Sequence, residues 1–277
     1  MPFDSQPSAS TLAARLQPRR YSGVNWLGLR TLYLKEVRRF WKVWMQTVAA
    51  PVVTTLLYMM IFVVAVGPDR TVQVGDTPFS HFVAPGLIMM AILNNAFANA
   101  SSSLIQAKLM GTAPDFLTPP LSPSELMAAF ALGAATRGLF VGLVTSLAVI
   151  PFASFHVAEL WAVLFYGAGA ALLMGLIGAV AGLWSEKFDH LAAIQNFIVM
   201  PMTFLSGTFY SVDRLPEPFA TLSHYNPFFY LIDGFRYGFI GHADGSLAAG
   251  AVLTVVLVLA LGAWCLHLFR SGWRLKS

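Results

Sequence analysis

Charged residues are scarce in this chain, and their scarcity excludes an ordinary soluble protein. Only 11% of its 277 residues are Asp, Glu, Lys or Arg, whereas 57% are hydrophobic. A soluble domain of this length cannot bury so much apolar surface, so lipid is the main solvent of the protein. The first 22 residues carry Pro, Ser and scattered charge but no short apolar core before a cleavage site. We therefore expect residues 1–22 to be a disordered cytoplasmic lead-in rather than a secretory signal.

Motifs for catalysis are also missing. The chain has one cysteine, Cys265, which excludes a disulfide within the chain. It has no GxxxxGK[ST] phosphate loop, no HExxH and no GxSxG motif, and its six histidines do not pair at metal-ligand spacing. We therefore expect no catalytic residue, no metal and no bound cofactor in this chain.

The chain has instead six apolar runs of 22 residues or more, each with at most one charged side chain. At about 1.5 Å of rise per residue, each run can cross the hydrocarbon core of a bilayer. In lipid the backbone polar groups must be satisfied within each segment, so the runs predict six transmembrane helices in one all-α membrane domain, residues 23–277. The predicted spans are residues 46–67, 82–106, 126–155, 160–185, 191–212 and 247–269.

Basic residues are distributed unequally between the two sides of these runs. If the N-terminus is cytoplasmic, thirteen of the 17 Lys and Arg residues lie on that side, and only Arg70, Arg214 and Arg236 lie on the other. This asymmetry follows the positive-inside rule and predicts that both termini are cytoplasmic. The net charge of +4 thus reflects orientation in the membrane, and we expect no nucleic-acid partner.

Residues 26–44 predict an amphipathic helix before the first span. One side carries Trp26, Leu29, Tyr33, Val37, Phe40, Trp41 and Trp44, and the other carries Thr31, Lys35, Arg38 and Lys42. Aromatic side chains opposite a basic stripe are typical of a helix that lies in the cytoplasmic interface and contacts membrane lipids. The alternative is a solvated cationic helix, which would leave the aromatic face exposed to water.

The cytoplasmic segment 107–125 contains one glycine and four prolines, which exclude a long helix. Its apolar side chains would be exposed on a short helix and would form a docking surface for another protein. The alternative is a plain loop between two spans. The candidate docking residues are Lys108, Leu109, Met110, Gly111, Thr112, Asp115, Phe116 and Leu117.

The external stretch 213–246 is too apolar for an ordinary loop and too interrupted for a span. Pro216, Pro218 and the pair Asn226 and Pro227 divide it, and it carries eight aromatic residues. Aromatic side chains favour the membrane interface, and proline breaks a helix. We therefore predict re-entrant or interfacial half-helices between the fifth and sixth spans.

Arg137 is the only formally charged side chain inside a predicted span. An intramembrane cation costs about 3 kcal/mol on insertion scales, so it should face protein or water. Asn95, Asn99 and Ser102 recur at helical spacing on one face of the second span. These four residues are candidates for a translocation path. The alternative is structural: Arg137 is tied to an asparagine, a carbonyl or a second protomer, and the polar face joins two helices.

No Asp, Glu, Lys or His occupies the middle of a predicted span, so no site for a coupling ion is visible. Because nucleotide motifs are missing too, we expect the energy for transport to come from a partner protein through the cytoplasmic surface. One alternative is a self-sufficient secondary transporter or channel. Another is an intramembrane protease with Ser206 as nucleophile, although no His or Lys base lies at matching depth.

Several of these segments resemble a known pattern. They are FVAPGLIMM in the second run, a GT-containing loop that ends in PLSP, LGAATRGLFVG in the third run, and FLSGTFYSVDRLPEPFATLSHYNPFFYLIDGFRYGF at residues 204–239. Together with the basic helix before the first span, they resemble the membrane subunits of ABC type-2 exporters over nearly the whole chain. Residues 204–239 are the specific part of the match.

The resemblance implies a homodimer of six-span subunits with two copies of a separate cytoplasmic ABC ATPase, which binds ATP and Mg. Residues 109–117 would be its coupling helix, although Pro114 departs from the family pattern and shortens that helix. Family members export drugs, lipids, lipid-linked glycans or polysaccharides across a bacterial inner membrane, with access between the first span and the partner protomer's fifth. In the external re-entrant segment the matching residues are Pro216, Asn226, Pro227, Asp233 and Arg236.

Overall fold

The computed structural model describes residues 23–66, 73–74, 77–153, 157–212 and 215–274, so the predicted lead-in lies outside the described residues. Apart from one antiparallel pair of two-residue strands, β1 Gln73–Val74 and β2 Thr77–Pro78, the regular structure described is helical. In chain order, the first helices are α1 Trp26–Lys42, the π-helix π1 Met45–Ala49, α2 Ala50–Val66, α3 Phe79–Leu109, α4 Pro114–Leu117, α5 Pro123–Val149 and α6 Leu160–Trp184. The remaining ones are α7 Phe188–Ile194, the π-helix π2 Gln195–Val199, α8 Met200–Phe204, α9 Phe219–Tyr225, α10 Pro227–Ile240 and α11 Leu247–Ser271.

Four of these helices, α3, α5, α6 and α11, are long and apolar enough to cross a membrane. A fifth is added if α1 and the helical run that follows it are counted as one span, although they meet at an angle of 78°. The predicted class, an all-helical membrane protein, is confirmed. The third predicted span was too long, because its helix ends at Val149 rather than at residue 155.

The first and fifth predicted spans are both interrupted by a π turn. π1 ends two residues before Pro51, and π2 ends two residues before Pro201. A proline lacks the backbone N–H and its ring collides with the carbonyl four residues earlier, here that of Thr47 or Phe197. Both carbonyls lie within the π turns, so the widened turn accommodates the proline without ending the helical run.

α3 is the centre of the fold, with 83% of its most apolar window buried, against 22% for the peripheral α11. Glycines allow the neighbouring helices to approach its backbone closely. A Cβ atom added at Gly178 of α6 would lie 2.5 Å from the carbonyl oxygen of Phe97, and one at Gly138 of α5 would lie 2.9 Å from that of Ile92. Small residues at such contacts are the usual means of packing helices in membranes.

Candidate functional site

A cavity of about 720 Å³ lies between α2, α3 and the segment formed by π2 and α8. Both π-helices contribute to its wall, π1 through Gln46 and Thr47 and π2 through Gln195. Because π turns occur frequently at functional sites, their position at one cavity identifies it as a candidate binding site. The lining residues with hydroxyl, amide or guanidinium groups are Arg39, Gln46, Thr47, Thr54, Thr55, Tyr58, Asn94, Asn95, Ser102, Arg137 and Gln195.

The structure brings the four translocation-path candidates together. Asn95, Ser102 and Arg137 line the cavity, and Asn99 is fully buried beside it. The three α3 residues share one helix face, and Arg137 reaches that face from α5.

Arg137 retains unused hydrogen-bonding capacity. Its Nη2 atom donates to Oδ1 of Asn95 over 3.2 Å, while its Nε atom is buried without a hydrogen-bond partner. None of the three ion pairs among the described residues includes it. Arg137 therefore ties α5 to α3 and also presents an uncompensated positive charge at the cavity wall.

A buried ion pair joins the interfacial helix α1 to α3. Glu36 has 0% exposure, and its Oε2 lies 3.3 Å from Nε of Arg39. The Oγ of Ser103 donates to Oε1 of Glu36 over 2.7 Å. Arg39 in turn donates to the carbonyl oxygen and Oδ1 of Asn99, at 2.6 and 3.0 Å, and to Oγ of Ser102 at 3.2 Å. Every oxygen and nitrogen named here has a partner, which a buried charge requires.

Sequence reasoning missed this pair because it assigned one face of α1 to lipid and the other to water. A signal was present, since Glu36 stands at helical spacing from Leu32 and Phe40, which are also buried. Gly133 of α5 permits the approach, because a Cβ atom there would lie 2.7 Å from that of Glu36.

Asn94 and Gln195 were also missed. The Nε2 atom of Gln195 donates to Oδ1 of Asn94 over 2.6 Å and thereby joins π2 to α3 at the cavity. Asn94 lies one residue before the polar face recognised in the sequence, and Gln195 begins the π turn, which no periodicity of the sequence indicates.

The N-terminal end of α1 is joined to residues 107–125, which contain the candidate docking residues and are here called the docking segment. Glu125 closes a capping box with Ser122 at the start of α5, and its second carboxylate oxygen accepts the backbone N–H of Asn25 over 2.6 Å. The side-chain amide of Asn25 donates to the carbonyl of Pro120 over 3.2 Å. α1, the docking segment and α5 are thus held together at one point. A groove of about 410 Å³ between α1 and the docking segment is lined by Lys35 and Asp115 among others.

Six of the eight candidate docking residues are exposed. The apolar ones, Leu109, Met110 and Leu117, have exposed fractions of 52%, 67% and 37%. α4, which was predicted to be the coupling helix, has only four residues and begins at Pro114, which fits proline's preference for the first helical position. The remaining exposed candidates are Gly111, Thr112 and Asp115.

Two candidate docking residues instead hold the segment in place. Phe116 was expected to be exposed, but its side chain is only 2% exposed and packs edge-on against Phe130, with ring centroids 5.4 Å apart. The ammonium group of Lys108 donates to the carbonyls of Leu183 and Ser185 at the end of α6. A cation at a helix C-terminus compensates unpaired carbonyls and the helix dipole, so Lys108 anchors the segment rather than offering a contact.

α9 and α10 lie in the stretch predicted to form external half-helices, and the residues of the specific sequence pattern hold them in place. Arg236 is 1% exposed, donates to the carbonyls of Phe82 and Gly207 at 3.2 and 2.5 Å, and stacks 3.8 Å from the ring of Phe82. Asp233 accepts the backbone N–H groups of Asp244 and Gly245 at 3.0 and 2.9 Å. Burial raises the pKa of the Asp233 carboxyl, although these hydrogen bonds and the nearby Arg236 act in the opposite direction.

Asn226, Pro227 and Pro216 shape the same region. The amide nitrogen of Asn226 donates to the carbonyl of Met202 over 2.6 Å, and its oxygen caps α10, of which Pro227 is the first residue. The carbonyl of Pro216 accepts the N–H of Phe219 at the start of α9. None of the five external pattern residues lines the 720 Å³ cavity. Their contacts are structural.

Ser206, the nucleophile of the protease alternative, is fully buried. Its hydroxyl donates to the carbonyl of Met202 and accepts from the side-chain amide of Asn226 over 2.8 Å. Neither partner is a base, so the described surroundings of Ser206 do not support nucleophilic catalysis.

The described residues form long apolar helices packed around a cavity with both apolar and polar lining residues, the architecture of an all-helical membrane protein. Residues 28–240 match the family described as ABC-2 type transporter. This chain belongs to that family. It is 35% identical over 252 residues to the inner membrane transport permease YadH of Escherichia coli strain K12, which covers 91% of this chain and 98% of that protein. It is 23% identical over 246 residues to Nodulation protein J of Rhizobium leguminosarum bv. viciae, which covers 85% and 91%.

The chain is therefore a transmembrane permease of an ABC transporter in the inner membrane. Membership indicates a membrane component rather than an enzyme, and it implies an ABC ATPase as partner in general terms.

Proposed function

We propose that this chain is the permease subunit of an ATP-driven exporter, which moves an amphipathic molecule, a drug, a lipid or a lipid-linked glycan or polysaccharide, out of the cytoplasm. The observation that carries the proposal is the 720 Å³ cavity, in which Met90, Met200 and Phe204 offer apolar surface beside the amide groups of Asn95 and Gln195. A molecule with one polar and one apolar end fits such a wall better than a purely polar or purely apolar one. ATP and Mg are bound by a separate ATPase subunit.

Six spans follow if the two runs with π turns cross the membrane. Residues 45–66 form the first span and residues 188–204, extended by the turns that follow, form the fifth. The 78° bend between α1 and the first run is the angle expected where an interfacial helix turns into the bilayer. Trp26, Trp41 and Trp44 of α1 and the adjoining turn are 72%, 55% and 52% exposed, which supports contact with lipid headgroups.

A second copy of the chain completes the transporter in this proposal. Val53 and Leu57 on α2 are each 54% exposed, and Phe197 and Ile198 on π2 are 81% and 52% exposed. These apolar side chains lie on the two segments that wall the cavity. Pairing of the first span of one protomer with the partner's fifth would cover them and place the cavity beside the subunit interface.

The ATPase would act through the docking segment. Leu109, Met110 and Leu117 are free to contact it, and the hydrogen bond from Asn25 to Glu125 transmits a displacement of this segment to α1. α1 carries Arg39 to the cavity. A contact on the cytoplasmic surface is therefore connected to the cavity through one helix.

The secondary transporter is a second candidate, and Glu36 is the observation that favours it. A buried carboxylate near a cavity is what a proton-coupled carrier needs. Its salt bridge to Arg39 and its hydrogen bond from Ser103 favour a structural role instead.

Reconstitution distinguishes the two candidates. Proteoliposomes that contain the chain with its ATPase partner should accumulate a fluorescent amphiphile only when Mg-ATP is supplied on the ATPase side. Vesicles with the chain alone should be inert with or without a proton gradient. Concentrative uptake driven by a pH gradient in the absence of the ATPase would contradict the proposed exporter and support the secondary transporter.

A further inference from the structure

We infer that the cavity selects amphiphiles with an anionic headgroup, such as a phosphate or carboxylate, and that Arg137 is the residue that recognises this charge. The inference rests on the proposed role of the cavity as the substrate site. It adds the chemical class of the substrate, which neither the fold nor family membership supplies.

The charge of the cavity lining favours an anionic ligand. Two guanidinium groups, those of Arg39 and Arg137, line the cavity, and none of the lining residues that the structure describes is Asp or Glu. Glu36, the acidic group nearest in the hydrogen-bond network, is fully buried and pairs with Arg39. One positive charge therefore remains uncompensated at the wall. In a site surrounded by apolar helices such a charge favours an anionic ligand and disfavours a cationic one.

The hydrogen-bond donors of Arg137 also suit an oxyanion. Arg137 uses one donor on Asn95, and its Nε is buried without a partner. A guanidinium has five N–H donors in a planar fork that matches two oxygens of a phosphate or carboxylate. The amides of Asn94, Asn95 and Gln195 and the hydroxyl of Thr54 add polar groups to the lining of the cavity. Such a cluster can bind an oxyanion without further charge.

The position of Arg137 within α5 also favours an anionic ligand. Arg137 lies well inside α5, fourteen residues after its first residue, Pro123. A structural tie to Asn95 alone would not require a charged group, because a glutamine could make the same single hydrogen bond. A cation kept at this depth is more readily explained by a ligand with the opposite charge.

Binding of matched lipids tests this inference. The purified full-length chain in maltoside micelles is titrated with pyrene-labelled phosphatidylglycerol and, separately, with pyrene-labelled phosphatidylcholine of the same acyl chains. We expect phosphatidylglycerol to bind tenfold more tightly or better, since a charge-assisted hydrogen bond supports a change of that size. Competition with soluble glycerol phosphate shows whether the headgroup suffices. Displacement at millimolar concentrations would identify a soluble phosphate compound as the ligand, and no displacement would identify a lipid.

Substitutions locate the selectivity. Arg137→Gln should remove the preference for phosphatidylglycerol and change phosphatidylcholine binding less than about twofold, whereas Arg137→Lys should retain part of the preference. Asn95→Asp gives Arg137 an ion-pair partner and should also abolish the preference for phosphatidylglycerol. This variant provides the same test if Arg137→Gln does not fold. Lys187→Gln, at an exposed basic position outside the cavity and outside α1, is the matched control and should behave as wild type.

Failure of this inference differs from failure of the proposed function. Equal binding of both lipids by the wild-type chain, or an equal loss of preference in Lys187→Gln, would overturn the anionic selectivity and leave the cavity as the substrate site. Thr54→Trp fills the cavity from an exposed position and should weaken both lipids. Unchanged binding of both by this variant would show that the cavity is not the site, and would overturn both proposals.

Discussion

The backbone N–H of Asn25 donates a 2.6 Å hydrogen bond to a carboxylate oxygen of Glu125, which follows it by 100 residues. The other carboxylate oxygen of Glu125 accepts the N–H of Ser122 over 2.7 Å. One side chain thus caps the start of α5 and fixes the start of α1. The carboxylate of Glu125 therefore joins the start of α1 to the start of α5.

Replacing Glu125 with Ala should loosen this joint. Two buried or partly buried N–H donors lose their acceptor, which costs about 1–3 kcal/mol each. We expect a lower detergent-solubilised Tm and weaker coupling of ATP hydrolysis to transport. Ser124→Ala, at an exposed neighbouring position, is the control and should change neither. An unaltered Tm for Glu125→Ala would show that the joint contributes nothing.

The ion pair of Glu36 and Arg39 should behave as a unit. Arg39→Gln leaves the carboxylate of Glu36 fully buried without its ion-pair partner, at a cost of roughly 3 kcal/mol, whereas Glu36→Gln leaves a partly exposed guanidinium that keeps its hydrogen bonds to α3 and should cost less. The double substitution removes both charges and should cost less than the sum. A double-mutant cycle of unfolding free energies in SDS and maltoside mixtures measures the coupling. Additive effects of the two substitutions would contradict the pair.

Leu117→Asp should separate docking from folding. Leu117 is exposed, so we expect a normal Tm but loss of ATPase stimulation and of export, because a carboxylate would be desolvated in an apolar contact. Ser124→Asp adds the same charge nearby, outside the docking residues, and should retain export. Full export by Leu117→Asp would remove residues 109–117 from the contact with the ATPase.

Phe116→Ala tests the inward position of that ring. Since Phe116 packs against Phe130 in the core, its truncation should lower stability by about 3–5 kcal/mol, as measured by thermal unfolding. A surface docking residue would lose little stability on the same change. A wild-type Tm would therefore contradict the burial of Phe116.

Gly178→Ala should be destabilising although alanine favours helices. The new Cβ would lie 2.5 Å from the carbonyl oxygen of Phe97, so α6 and α3 must separate, at about 1–3 kcal/mol. Gly262→Ala on α11 is the matched control, because its Cβ would meet nothing closer than a side-chain atom of Leu176 at 4.0 Å. We expect this control to be neutral or to gain up to about 1 kcal/mol of helix propensity.

Much of the architecture was predictable from the sequence because hydrophobic length is a local property. The helices at residues 160–184 and 247–271 match their predicted spans within two residues. The prediction was less accurate where a proline changes the helical turn that precedes it. Pro201 lies inside the run predicted as the fifth span, and the helix there is divided into α7, π2 and α8.

The site was only partly predictable. The polar face of the second span and Arg137 were recognisable, because polar groups in an apolar run are conspicuous. Which of them meet, and which hydrogen bonds remain open, depends on how α3 and α5 are rotated against each other. Periodicity identifies a face of a helix but not the helix that covers it.

The sequence by itself determined the membrane class, the approximate spans and the family, since apolar length, basic asymmetry and the pattern at residues 204–239 are all written along the chain. Only the tertiary structure decided that Glu36 is buried with Arg39, that Phe116 points inward and that Arg137 keeps a free donor at a cavity. These features are contacts between residues distant in sequence. They arise because glycines let the helix backbones approach closely, and this close packing decides which side chains come into contact.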